Sequence, residues 1–142
     1  MTRNESPQVF WVGMGCRTDC SFEELRELLF RVLAQHSLPQ SGMQGLASIE
    51  QKAGEPGLAA LAKALDLPLQ GFSSEQLSRY EGLLSIRSAR SFARTGCHGV
   101  AESAALAMAH AHAGAWPRLH VSREQSSAAT VAIAVTTPRG PG

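Results

Sequence analysis

The sequence has little of what several protein classes require. Its 142 residues include only three cysteines, Cys16, Cys20 and Cys97, an odd number that fits no disulfide framework. The Cys16-x-x-x-Cys20 spacing has no second pair to complete a zinc site, so reduced thiols and no bound metal are expected. Lysine is scarcer still, with Lys52 and Lys63 set against eleven arginines. Aromatic residues make up 6% and charged residues 18%, and the formal net charge is +1. So neutral a balance lacks the basic excess that grips a nucleic-acid backbone. No apolar run reaches the ~18 residues of a membrane-spanning helix. Met1 to Val9 holds one arginine and no long apolar stretch, so no secretory signal is read and a cytoplasmic protein is expected.

What is present suits one compact domain, residues 1–142, with a core over about 9–135 and a tail at 136–142. Apolar residues reach 44%, enough for a core and too many for a disordered chain. The near-zero charge hides an asymmetry. Up to Glu81 there are seven basic and ten acidic side chains; from Gly82 onward there are six and two.

The pattern predicts strands alternating with helices. Val9 to Val12 reads as a buried strand that ends at Gly13. Ser21-Phe22-Glu23-Glu24 has the form of a capping box, with Glu24 reaching back to the cap N–H. Leu25, Leu28, Leu29, Val32 and Leu33 then form the apolar face of a helix that stops before Pro39. A short strand follows at Gly45 to Ile49, and Pro56 opens a helix through Leu65. Leu67 to Phe72 is a strand that its proline demotes to an edge or a strand start. Ser73 to Leu77 suggests a short helix. Gly82 to Thr95 has no clear period and reads as a loop. Gly99 to Ala113 is an alanine-rich helix, apolar nearly all round and so buried against a sheet. Arg118–Glu124 and Ala128–Val135 form a closing hairpin. The fold expected is α/β: a three-layer α/β/α domain with a mixed, mostly parallel sheet and a C-terminal antiparallel hairpin.

Ligands in such sheets sit at the carboxyl ends of parallel strands, which directs attention to three loops. Gly13, Gly15, Cys16 and Arg17 lead toward the first helix, where glycine allows close backbone approach and Arg17 offers a fork for carboxylate or phosphate. Ser48 to Glu55 places Lys52 and Glu55 either as a surface ion pair or as a cation and a carboxylate facing a ligand. Gly96-Cys97-His98-Gly99 enters the alanine-rich helix, with Glu102 in its first turn. That acid is explained by the helix dipole alone, or by an acid–base pairing with His98 at i+4. His110 and His112 lie two apart, on different sides of a helix, and share no metal. His36 falls near a helix end.

Together these loops resemble a known family, the cobalamin-biosynthesis CobE family, equivalent to the C-terminal domain of CbiG. The blocks that carry the resemblance are Val12-Gly13-Met14-Gly15-Cys16-Arg17, Leu46 through Lys52 with Glu55 and Gly57-Leu58, Gly96 with Val100 through Leu106, and Thr130 to Ala134. They span nearly the whole chain, in order and at compatible spacing. The pattern departs at Thr18-Asp19-Cys20, where a basic residue or glycine is expected, and at His98. The length implies the stand-alone CobE form.

What the resemblance implies is a protein of vitamin B12 synthesis that binds a precorrin or corrinoid intermediate and holds it or hands it on. An alternative is an enzyme acting on a cobalt-precorrin, such as lactone opening, with Glu102, Lys52 or His98 as acid–base candidates. A third is an interaction module for other cobalamin-pathway enzymes. No separate cofactor is implied. The ligand-binding candidates are Gly13, Gly15, Cys16, Arg17, Ser48, Lys52, Glu55, Gly96, Gly99 and Glu102. Corrinoid intermediates are flat apolar macrocycles fringed with carboxylates, so Arg17, Lys52 and the Arg87, Arg90, Arg94 stretch are candidate anion receptors.

Overall fold

The computed structural model describes residues 9–84 and 99–136. Five strands form one sheet in the order β3-β2-β1-β5-β4. They are β1 (Phe10–Cys16), β2 (Met43–Ile49), β3 (Leu69–Phe72), β4 (Pro117–Gln125) and β5 (Ala129–Thr136). β1 pairs with β2, and β2 with β3, in parallel; β5 runs antiparallel to both β1 and β4. Four strands therefore share one direction and β5 alone is reversed. The expected mixed sheet with its closing hairpin is what forms.

Helices cover both faces. α1 (Phe22–Gln35) and α3 (Pro56–Leu65) pack on one side, while α4 (Ser74–Ser78) and α5 (Val100–Ala113) lie on the other; α2 (Glu50–Ala53) is a single turn after β2. The side chains of β1 alternate between the two cores. Phe10, Val12 and Met14 join Leu25, Leu29, Leu58 and Leu61, whereas Trp11 joins the α5 residues. α1 ends where Ser37 turns left-handed and the Leu38 N–H closes back to Leu33 O, so the stop precedes Pro39 as expected.

The alanine-rich helix has its counterpart in small residues of the sheet. Ala47 and Ala134 face α5, as does Ala132 by its pairing with Gly13, which lies directly beneath the helix. A Cβ at Gly13 would fall 2.0 Å from Ala101 O and 2.5 Å from Ala105 N. Small residues on both surfaces let helix and sheet backbones touch. This corrects the expectation that β1 ends at Gly13. The strand runs on to Cys16, with Gly13 and Gly15 paired to Ala132 and Thr130 of β5.

Candidate functional site

Because β1 and β2 are parallel, their carboxyl ends emerge side by side. The N-terminus of α5 joins them there, since a Cβ at Gly15 would touch Val100 Cγ1 at 3.6 Å. Gly99 is the N-cap of α5 and supplies no side-chain cap. Portions of all three singled-out loops thus meet at one edge. Gly96 and His98, with Cys97 and the Arg87, Arg90 and Arg94 stretch, lie outside the described residues.

Lys52 stands at the centre of the polar contacts. Its Nζ lies 3.3 Å from Thr18 Oγ1, to which it donates, and 3.7 Å from Glu55 Oε2. Their side chains are only 21% and 13% exposed. The other oxygen of Glu55 accepts the Asp19 N–H at 3.0 Å. Glu55 therefore ties α3 to the 17–19 turn while partly neutralising Lys52. Asp19 has φ 65°, a conformation that glycine adopts freely and that aspartate tolerates better than most.

Behind this cluster sits Cys16. Its thiol is pushed up to about 11, first by burial, then by Cys20 and Glu55, with Lys52 pulling the other way. The thiol is consequently protonated and a poor nucleophile near neutrality. Ser48 is fully buried and donates from Oγ to Met14 O at 2.7 Å, which fastens β2 to β1 below the edge. The loop expected over Ser48 to Glu55 is shorter than read, because Ser48 and Ile49 belong to β2 and residues 50–53 form α2. A shallow groove of about 330 Å³ adjoins the cluster, between Asp19, Cys20, Ser21 and Phe22 on one side and Pro56 and Gly57 on the other.

Glu102 is placed differently. It is 1% exposed, and its Oε2 accepts the Arg123 N–H at 2.8 Å where the β4–β5 register shifts. The carboxylate in an apolar helix thus serves an irregular strand. Arg17 sends its backbone N–H to Ala128 O at 2.8 Å. The histidine pair behaves as its spacing predicts: His110 Nδ1 meets Tyr80 Oη at 2.9 Å and His112 Nε2 meets Gln70 Oε1 at 3.2 Å. Among the described residues, no three His, Cys, Asp or Glu side chains are grouped to hold a metal ion. No described helix is long and apolar enough to cross a membrane.

Some contacts at the site have no clear mark in the sequence. Thr18, the partner of Lys52, gives no signal in sequence because the pair is 34 residues apart. Glu24 does give one, but it points to the wrong partner. Ser21 Oγ accepts the Glu24 N–H at 3.0 Å as expected, but the Glu24 carboxylate turns away to Ser126, Ser127 and Ala128.

The architecture defines the class: a small α/β domain whose mixed sheet gathers cationic and glycine-backed segments at one strand-end edge. The family described as Cobalamin synthesis G C-terminus matches residues 10–134, and the chain belongs to it. Protein CobE of Sinorhizobium sp is 34% identical over 87% of this chain and 77% of its own length. A crystal structure of CobE, a protein from the cobalamin (vitamin B12) biosynthetic pathway, superposes with a TM-score of 0.86. It is 38% identical and covers 94% of this chain and 95% of its own. The cobalt-precorrin-5A hydrolase of Salmonella typhimurium is 37% identical over 53% of this chain, which spans only 21% of that enzyme. The protein is a cobalamin-biosynthesis protein of the CobE and CbiG C-terminal type.

Proposed function

We propose that the protein binds a precorrin-type intermediate at this edge and holds it or hands it to the next enzyme. The observation that carries the reading is the convergence of Lys52, the Arg17 turn and the N-terminus of α5 around the ends of two parallel strands. A helix of 14 residues turns the positive end of its dipole toward an acidic substituent there. Lys52 donates one of its three N–H groups to Thr18 and stands 3.7 Å from Glu55, so the ammonium can donate to a ligand carboxylate as well, while keeping both neighbours. The relatives whose names state an action on cobalt-precorrin-5A are much longer than this chain, which is why binding, rather than their hydrolysis, is proposed.

The test is incubation with a series of purified precorrin and cobalt-precorrin intermediates, followed by gel filtration and absorption spectra. Co-elution of one intermediate with a shifted spectrum is expected, and Lys52→Ala should weaken it. Absence of co-elution across the series would remove the reading. Turnover that disappears in Glu102→Gln would favour an enzyme instead, since glutamine still offers Arg123 an acceptor and preserves the fold.

A further inference from the structure

We propose that Glu24 is a positioning residue for this site, acting on Arg17 through Ala128. The inference rests on the reading that Arg17 receives an acidic group of the ligand. One carboxylate oxygen, Glu24 Oε2, accepts from Ser126 Oγ, from Ser127 Oγ at 3.2 Å and from the Ala128 N–H at 2.8 Å. Ala128 in turn presents its carbonyl to the Arg17 N–H at 2.8 Å. That bond is the next rung beyond the β1–β5 ladder, whose last pair is Cys16 with Ala129. Ala128 is therefore gripped on both sides, by α1 through its N–H and by the Arg17 turn through its carbonyl.

Helix initiation does not explain this arrangement. A glutamate serving only the start of α1 would turn back to the Ser21 N–H. Glu24 instead reaches a turn more than a hundred residues away, where its charge strengthens each bond it accepts. The same helix makes a second contact farther along, where Arg31 Nη2 donates to Gln125 O at 3.2 Å. Arg31 holds the end of β4, whereas Glu24 holds the residue from which Arg17 hangs. The far end of the turn is pinned by another glutamate, since Glu55 takes the Asp19 N–H. Two carboxylates thus fix both ends of the 17–19 segment. The Arg17 charge is close enough to help hold the Glu24 carboxyl below its ordinary range, behind the larger effects of Ser126 and Ala128.

The experiment measures affinity for dicyanocobyrinic acid, a cobalt corrinoid with free carboxylates, by absorption titration of the full chain. Glu24→Ala should weaken binding about fivefold, equivalent to ~1 kcal/mol. Added to Arg17→Ala, the same change should alter affinity less than about twofold, as expected when one residue acts through the other. Glu24→Gln, whose amide oxygen still accepts, should bind within about twofold of the unaltered protein. Equal weakening by Glu24→Ala in both backgrounds overturns the proposal, and so does a Glu24→Gln variant as weak as Glu24→Ala. Amide hydrogen exchange supplies a ligand-free readout. In Glu24→Ala the Arg17 and Ala128 amides should exchange at least about tenfold faster while β2 keeps its protection. If the unaltered protein binds no corrinoid, the ligand reading falls by itself. Unchanged exchange at Arg17 would still refute the positioning role.

Discussion

Gly13→Ala adds one methyl group to the middle of β1 and should be among the most damaging small substitutions in the protein. The new Cβ would fall 2.0 Å from Ala101 O, 2.5 Å from Ala105 N and 3.0 Å from Ala101 C. Comfortable separation is about 3.5 Å, so α5 must rise by more than about 1 Å over its first two turns. All three atoms are helix backbone, and no side-chain rotation can relieve the clash. Overpacking costs about 1–3 kcal/mol, and lifting a buried helix from its small-residue bed forfeits contacts as well, so ~3 kcal/mol is expected. For a chain of this size that lowers Tm by about 6–12 °C. Gly54→Ala is the matched control, because nothing lies within 4 Å of its added Cβ and its φ is −92°. It should leave Tm unchanged or raise it slightly. Thermal unfolding followed by circular dichroism reads both. A Gly13→Ala protein melting within about 2 °C of the parent would refute the close helix–sheet contact as the reason for glycine there.

Ser48→Ala removes the hydroxyl that bonds Met14 O in a fully buried position, and should lower unfolding free energy by about 1–2 kcal/mol; an unmoved urea midpoint would contradict this. Cys16, with its thiol near 11, should be about one-thousandth thiolate at pH 8. In a Cys20→Ser, Cys97→Ser background, iodoacetamide labelling should accelerate about tenfold per pH unit up to about pH 10, and a plateau below pH 9 would be inconsistent. Glu24 is held below the ordinary carboxylate range, chiefly by Ser126 and then Ala128. A depressed folded-state pKa stabilises the protein above the unfolded-state value, and that stabilisation is lost as pH falls through the folded-state value. Glu24→Gln should therefore differ from the parent in urea midpoint at neutral pH and converge with it in acid; a constant difference would count against the clamp.

Much of the fold could be read directly because its signals are local. The heptad-like leucines of α1, Pro56 at the first turn of α3 and the alternating residues of β5 each mark an element without knowledge of its neighbours. Where the structure differs from these local signals, the cause is a partner distant in sequence. Gly13 and Gly15 look like a turn because glycine is the usual turn residue, yet Gly13 is small because α5 crosses it some ninety residues later, and a Cβ at Gly15 would crowd Thr130 Oγ1 at 2.9 Å. Glu24 looks like half of a capping box because Ser21 precedes it, yet three donors beyond residue 125 compete for its carboxylate and prevail. At the site, Lys52 and Glu55 were recognisable as a pair three residues apart, whereas Thr18 and the Asp19 backbone enter only through the fold. Glu102 stands out as an acid in the first turn of an apolar helix, but an irregularity in β4 leaves no trace in residue type.

The reversed strand has a consequence for how the chain reaches this state. β1 is the central strand, formed from residues near the start, and one of its two neighbours is β5. Trp11 pairs with Ala134, so this seam joins residues separated by more than a hundred positions. While the chain is being synthesised, β1 can pair with β2 but waits for nearly all the rest before its second edge is covered. Long-range pairing of this kind folds slowly, and an uncovered central strand is an open template for other chains. Loss of β5 would therefore expose the middle of the sheet rather than trim its rim, and such a truncation should aggregate instead of folding to a smaller domain.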